Sequence, residues 1–567
     1  MNSSANQLTA AIDIGFSSIR MDIAEIQPDG EIRVLDSLTK GVQLGRDVFT
    51  EGHLSQETIQ IACDALGDFK KVMDTYGVMR YRAVATSAVR DSSNGDSFLD
   101  RLLMNTGLDV EVIDRPEENR FTISAALESL SGELNLGKTK SILVEVEEDN
   151  MDVALLWDGK LQQSGTFPLG SIHLRAGVGS GPAKHDQQVR LLRRRIDTFL
   201  TNIKNEIEIR DAVHCIAVGD DVRLAARILN GSCQNRRLSV IPMDVFTDFV
   251  DSLSRLTIDG LVHKYSVPYP NAETLAPALL TYLQILKETQ ARDLIVSDAN
   301  IRTGILRDLA PANRGKRRKE LAIQTLSSAR RLGRKYHYDE NHAERVRDLS
   351  VRLFDELKTE QRMTDTHRLY LEIAALLHDI GSFVSLRSHH KHSYYLISSS
   401  ELFGLRKPEL EVIANIARYH RRALPQRSHL SYISLDRDER MIVSKLAAIL
   451  RVANALNKDP LQSVTNLRIN REANQIAVTG QNVSDLVMGK IAFADRSKFF
   501  TEIFGIKITL GEEVRTNELR SHRPRTSYCR PSGQPAEVCR HDGVTAIDSA
   551  KTPSHRSALP HQLPTQN

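Results

Sequence analysis

The sequence predicts an α/β protein of two related lobes, followed by a helical domain and a small α+β unit. Three observations carry this. Residues 11–24, AIDIGFSSIRMDIA, place Ile12 and Ile14, then Ile19, Met21 and Ile23, on either side of a turn at Gly15, Ser17 and Ser18, the pattern of a strand–turn–strand unit. Residues 143–156, LVEVEEDNMDVALL, repeat that unit without a gap when Asp13 is set on Glu145. After each copy, short strand-like runs alternate with amphipathic helical stretches until Pro311, where the pattern becomes almost wholly helical.

The first copy opens the chain. Asp13 lies just before the turn that Gly15, Ser17 and Ser18 form. Glycine lets a backbone come close to a bound group and small hydroxyl side chains leave room, so such a turn can aim N–H groups and hydroxyls at a phosphate. Residues 31–38 continue as strand. Ser55 caps a helix running to residue 76, with Ile59, Ala62, Cys63, Leu66 and Met73 at helical spacing. Strands over 81–86 and 110–113 bracket a helix over 97–105 that Gly107 stops, and Pro116 leads into a helix over 117–130.

The second half opens at Ser141 with its hairpin, passes through 167–174 and enters a long basic helix containing Arg193, Arg194 and Arg195. Strands over 215–218 and 293–298 follow, the second leading into 301–309. Helices are expected as far as Leu456, then a hairpin over 466–479, a helix over 485–504 and a strand over 506–510. From Gly511 the composition of Pro, Ser, Arg, Thr and His with few large apolar residues reads as disorder. The expected divisions are 1–135 and 136–310 for the lobes, 311–460 for the helical domain, 461–512 for the small unit and 513–567 for the tail.

Composition bounds the function. The chain has 567 residues, 41% apolar and 26% charged, as ordinary soluble proteins do. A net charge of +3 offers no global argument for nucleic acid. No apolar run is long enough to span a bilayer, and the N-terminus lacks a cationic segment followed by an apolar one. The five cysteines (Cys63, Cys215, Cys233, Cys529, Cys539) show no CxxC spacing, which speaks against a disulfide framework or a zinc ribbon. The cytoplasm is the simplest address, with no membrane partner.

The order of motifs resembles the exopolyphosphatase and guanosine-pentaphosphate phosphatase family. The matching pieces are AIDIGFSSIRMDIAE, AVATSAVRDSSNGDSF from residue 83, VEVIDRPEENRF from residue 110, FPLGSIHL from residue 167 and SDANIRTGIL from residue 297. In the helical part they are LEIAALLHDIG, HHKHSYYLI and IARYHRR. The resemblance covers residues 8–512. It implies a duplicated actin-like, ribonuclease H-like fold and metal-dependent hydrolysis of the terminal phosphate of inorganic polyphosphate or guanosine pentaphosphate. Phosphoryl transfer asks for positioning, charge against the non-bridging oxygens and a base to orient water. By the family pattern Glu118 is the water-orienting base, and Arg90 with Asp13, Gly15, Ser17, Ser18, Gly170 and Ser171 binds phosphate. Glu145 and Asp152 would hold magnesium, with manganese or another divalent ion as the substitute. Homodimers are frequent in the family. The structural alternatives are an acidic helix start for Glu117 and Glu118 and a surface arginine for Arg90.

The chain departs from that pattern in its phosphate loops. Active members read DIGGGSTEL where this chain reads EVEEDNMDV, so Glu147, Glu148 and Asp149 replace glycines. A carboxylate about 5 Å from a phosphate costs roughly 3 kcal/mol at an effective dielectric of about 20. Magnesium can bridge the two, since it takes carboxylate and phosphate oxygens together. The loop at Gly219, Asp220, Asp221, Val222 and Arg223 is acidic where small residues are expected, and Ile301, Arg302, Thr303 and Gly304 lack the family's glutamate.

In the helical part, His342 and the pair His378–Asp379 resemble the ligands of HD-type metal phosphohydrolases. Asn454 and Asn457 stand where that pattern expects an aspartate, and His389, His390, His392 and His420 could supply further ligands. In the family this unit usually serves as scaffold and binding wall. The basic clusters Arg314, Lys316, Arg317, Arg318 and Lys319, the group Arg418, Arg421 and Arg422, and Arg193 to Arg195 suit a polyanion or a solvated face. No aromatic platform accompanies them, which disfavours nucleic acid. Two functions lead: an exopolyphosphatase-like hydrolase, or a weakened member that binds polyphosphate or an alarmone nucleotide and regulates a partner. A phosphohydrolase working from the helical site alone is a third.

Overall fold

The structure, a computed structural model, describes residues 7–176, 185–231, 237–310, 314–421, 423–457, 465–472, 475–481 and 487–512. The expected tail, Arg422, Cys233, Cys529 and Cys539 lie outside these residues, as do the side chains of Arg314, Lys316 and Arg317.

The first sheet holds β1 (Gln7–Ile14), β2 (Ser18–Ile26), β3 (Ile32–Gly41), β4 (Arg80–Ala85) and β5 (Val110–Val112) in the order β3-β2-β1-β4-β5. The second holds β6 (Lys140–Val146), β7 (Met151–Trp157), β8 (Lys160–Phe167), β9 (His214–Val218), β10 (Leu238–Pro242) and β11 (Asp293–Ser297) in the order β10-β11-β9-β6-β7-β8. Three antiparallel strands followed by two parallel ones occur in the same spatial order in both sheets. The expected duplication is therefore present at the level of topology. It also includes β8, which the sequence reading missed. β8 is an edge strand whose residues 162–166 are neither buried nor exposed, so no apolar alternation marks it.

Strand alternation distributes the cores. Ala10, Ile12 and Ile14 of β1 pack with the helix Gln56–Tyr76, while Ala11 faces the other way onto Phe121, Ile305 and Leu306. In β6, Ile142, Val144 and Val146 face the large second-lobe core, and Leu143 meets Ile123, Ala125 and Ala126. The helices Arg115–Leu130 and Ile301–Leu309 thus lie between the inner faces of both sheets. They approach closely because Gly304 has no side chain: a Cβ there would fall 2.4 Å from the carbonyl oxygen of Phe121.

Most of the described residues over 314–456 are helical, as expected, including Glu340–Leu357, Asp365–Leu377, His389–Ser398, Lys407–Arg418 and Arg437–Leu456. A small sheet, β12 (Thr465–Glu472), β13 (Gln475–Gln481) and β14 (Lys507–Glu512), carries the helix Val487–Phe504. Ile476, Val478 and Phe500 share one core with Leu446 and Val452 of the preceding helix. Among the described residues no helix is long and apolar enough to cross a membrane.

Gly304→Ala tests the contact between the two central helices. Overpacking against backbone is expected to cost about 1–3 kcal/mol, read as a lower urea midpoint. A neutral or stabilised variant, as helix propensity alone would give, would show that the helices are free to separate.

Candidate active site

Each lobe ends its first hairpin in a four-residue turn. The last ladder pairs are Ile14 with Ile19 and Val146 with Met151. Asp13 and Glu145 occupy the same penultimate position in their strands, facing Arg20 and Asp152 in the ladders. The first turn is closed by Gly15 N–H donating to the Ser18 carbonyl at 3.0 Å. The second is closed by Glu147 N–H donating to the Asn150 carbonyl at 2.8 Å. Across the cleft, the Ser17 hydroxyl donates to Glu148 Oε1 at 2.6 Å. A carboxylate oxygen therefore sits where the first turn would present its hydroxyl to a phosphate.

Gly170 and Ser171 pack against the second turn rather than opening onto the cavity. A Cβ on Gly170 would fall 2.2 Å from the Asp149 carbonyl carbon. The N–H groups of Ser171 and Ile172 donate to the carbonyls of Glu147 and Glu148, each at 2.9 Å. The Ser171 N–H, one of the groups expected to bind phosphate there, is already used. Asp13, Gly15, Ser17, Ser18, Glu118 and Glu145 all line one cavity, whose free volume is about 100 Å³, below the several hundred of a typical ligand pocket.

Glu118 reaches this cavity from the first turn of Arg115–Leu130. That helix starts where it does because the Asp114 side chain accepts from Glu117 N–H and Pro116 needs no partner for a missing N–H. Its two glutamates part. Glu117 pairs with Arg82 at 2.9 Å and Arg120 at 3.5 Å, while Glu118 faces Arg90, whose Nη1 stands 3.3 Å away. Arg90 also donates to the Ile113 carbonyl at 2.8 Å, and its Nη2 is buried without a hydrogen-bond partner.

The cleft is crowded with acid. Burial, opposed by Arg90 and reinforced by Asp149, Asp13 and Asp152, pushes the Glu118 carboxyl up to about 8. Burial with Asp152 nearby does the same to Glu145, again about 8, and burial holds Glu147 well above the usual range. Burial raises Asp13 and Glu148 as well, and takes Asp221, whose Oδ1 accepts from Thr274, to about 8. Asp152 rises by burial to about 6, while Asn119 at 2.8 Å and Thr166 at 2.5 Å hydrogen-bond its carboxylate. Asp220 goes the other way: despite its burial, Arg223 and Arg20 hold it well below the carboxylate range. Arg302 spans Asp22 at 2.9 Å and Asp13 at 3.8 Å.

Several of these partners escaped the sequence reading. Arg20 was legible in principle, because hairpin register sets it opposite Asp13. Thr274 and Arg115, which pairs with Asp149 at 3.3 Å, carry no local signal. The other predicted residues lie elsewhere. His342, His378 and Asp379 come together in the helical region. Arg193 is paired with Asp251 at 2.7 Å, and Arg418 lies over the rings of Tyr394 and Tyr419. Arg318 and Lys319 are exposed.

Residues 23–313 match the Ppx/GppA phosphatase family, and residues 325–483 match Ppx/GppA phosphatase, domain III. A guanosine-5'-triphosphate,3'-diphosphate pyrophosphatase of Aliivibrio fischeri is 22% identical over 465 residues, 81% of this chain and 90% of its own length. The protein of that name from Aeromonas salmonicida is 20% identical over 484 residues, 83% of this chain and 92% of its own. Among solved structures, an exopolyphosphatase from Cytophaga hutchinsonii is similar with a TM-score of 0.49 at 19% identity, covering 53% of this chain and 97% of its own.

The raised carboxyls make a pH prediction. Glu118 and Glu145, at about 8 against an ordinary 4.5, and Asp221, at about 8 against 3.8, bind protons when folded that they release on unfolding. Their contribution favours the fold at low pH and is lost as pH rises toward 8. Metal-free protein is expected to melt at lower temperature at about pH 8.5 than at about pH 6, and magnesium to raise the melting temperature more at the higher pH. A melting temperature flat across both variables would mean these carboxyls are not desolvated.

Proposed function

The chain belongs to the Ppx/GppA phosphatase family, whose model covers more than half of it, and from that premise we propose a phosphoanhydride hydrolase whose cleft its own acidic turn closes and divalent cations open. The substrates are inorganic polyphosphate or guanosine pentaphosphate. The observation that carries this reading is the Ser17–Glu148 hydrogen bond at 2.6 Å, set among carboxyls that burial has raised. Carboxylates so placed repel a phosphate and one another, and cations remove both repulsions.

Glu145 and Asp152, with Glu147 and Asp149 beside them, are the residues that would hold magnesium or manganese, which would supply positive charge against the non-bridging phosphate oxygens. Everything else falls to the chain. Asp13 and Arg302 set the floor of the first turn, and Arg90, whose buried Nη2 has no hydrogen-bond partner, is the residue that would take a phosphate oxygen. Glu118 is the base that orients water, and it must be deprotonated to act. Neutralising its acidic neighbours lowers its carboxyl toward neutral pH. On this reading residues 1–135 and 136–310 are the catalytic lobes, 311–460 an HD-type helical domain and 461–512 its small appendage.

A specific observation favours a second reading, a polyphosphate- or alarmone-binding regulator. The cavity of about 100 Å³ and the used-up N–H groups of Ser171 and Ile172 leave little room for turnover.

Phosphate release from long-chain polyphosphate and from guanosine pentaphosphate separates the two. Wild-type protein is expected to release phosphate only with magnesium or manganese, Glu118→Gln to lose it by a factor of about 100 or more, and Glu148→Ser to need less metal. No release at any metal concentration, with polyphosphate retained in a salt-sensitive way, would establish the regulator instead. Release surviving in Glu118→Gln would move the chemistry out of this cleft.

A further inference from the structure

We propose that the helical region carries a two-position site for divalent transition-metal ions organised on Asp379, with the tighter ion held by Asp379, His389 and His420. The side chains come from separate elements. His378 caps the end of Asp365–Leu377, Asp379 enters the next turn, His389 opens His389–Ser398, His420 follows Lys407–Arg418, and His342 lies in the first turn of Glu340–Leu357. Gly381 allows the convergence, since a Cβ there would fall 2.1 Å from the His389 carbonyl oxygen.

The donor atoms form two sets that share the carboxylate, each set lying within 4.8 Å. On one side Asp379 Oδ1 stands 3.1 Å from His389 Nε2 and 3.3 Å from His420 Nε2, and the two ring nitrogens are 3.2 Å apart. That is a nearly equilateral triangle. Ligands bound at about 2.0–2.1 Å to one tetrahedral ion stand about 3.3 Å from each other, so the triangle has the dimensions of one face of such a site. On the other side Oδ2 lies 3.4 Å from His378 Nε2 and 3.8 Å from His342 Nε2, a looser set.

Proton placement gives an independent reason. His378 Nδ1 is 2.7 Å from the Ala375 carbonyl, and His420 Nδ1 is 2.7 Å from the Ala417 carbonyl. A carbonyl only accepts, so both Nδ1 atoms carry hydrogen, and in its singly protonated form each ring presents a bare Nε2 lone pair. These lone pairs face carboxylate oxygens, which are acceptors too. His378 Nε2 and the Oδ1 atom of Asp379 are accordingly buried without a hydrogen bond, and His378 and His420 are 0% and 1% exposed. Acceptors aimed at one another with no donor between them call for a cation there. The carbonyl bonds also orient the rings as second partners orient metal-bound histidines.

The donor set identifies the ion's class. Imidazole nitrogens around one carboxylate suit zinc, cobalt, iron or manganese, and are poor ligands for magnesium. The Asp379 side chain is 37% exposed, so the site opens to solvent and leaves coordination positions free. Arg421, 3.3 Å from His389 Nδ1, stands beside that opening. The His342 position is the weaker one, because its neighbour is the amide of Asn457, 3.3 Å from His342 Nδ1, and Arg345 binds the oxygen of that amide at 3.1 Å.

The test is cobalt titration of the metal-stripped full-length protein, followed by visible ligand-field absorption. One tight equivalent is expected, then a weaker second, with zinc displacing cobalt and excess magnesium leaving the spectrum unchanged. His389→Gln and His420→Gln should each lower affinity for the first equivalent at least about tenfold, while His342→Gln should spare the first and weaken the second. Glu145→Gln, in the other cleft, should leave the band as it is. Wild-type protein should melt higher with zinc, and His389→Gln should not. Absence of the band, its persistence at full strength in both His389→Gln and His420→Gln, or its loss to magnesium would overturn the proposal. None of these readouts depends on phosphate release.

Discussion

Two hairpin turns of equal length face each other across a cleft, and a hydroxyl from one is bonded to a carboxylate from the other. That contact depends on a duplicated sheet topology, which brings Asp13 and Glu145 to matching positions in separate lobes. It also depends on the paired helices Arg115–Leu130 and Ile301–Leu309, which lie between the sheets and receive apolar residues from both inner faces. With the helices pressed together at Gly304, the turns meet at hydrogen-bond distance.

Electrostatics then dominates the cleft. The acidic residues are desolvated together, and their arginine partners are distributed unevenly. Arg20 and Arg223 serve Asp220, and Arg302 serves Asp22 and Asp13, so at Glu145, Glu147 and Asp221 burial outweighs what opposes it. Such a group answers to protons or to metal ions. The same logic recurs in the helical region with other donors. There imidazoles, anchored by carbonyls, surround a single carboxylate, and that chemistry favours a softer ion than the oxygen-rich cleft would take.

Much of the architecture was legible in the chain. The two hairpins, the Ser55 cap and the Gly107 stop follow from apolar period, caps and glycine, which are local properties. The edge strand β8 was not legible, because it is buried on neither face in a way that leaves alternation. Departures from the phosphate-loop pattern at Glu147, Glu148 and Asp149 were also readable, as were His389 and His420 among the candidate companions of His378 and Asp379.

The sequence by itself determined residue types, their spacing and hence the elements that carry them, since helix and strand periods are set by neighbours a few residues away. It could not tell which carboxylate would fill the first turn, that Glu117 would turn away to Arg82 while Glu118 faced the cavity, or that Asp379 would lie within 3.3 Å of both His389 and His420. Those are contacts between residues remote in the chain. Their distances are set by how sheets and helices pack, so only the tertiary structure decided them.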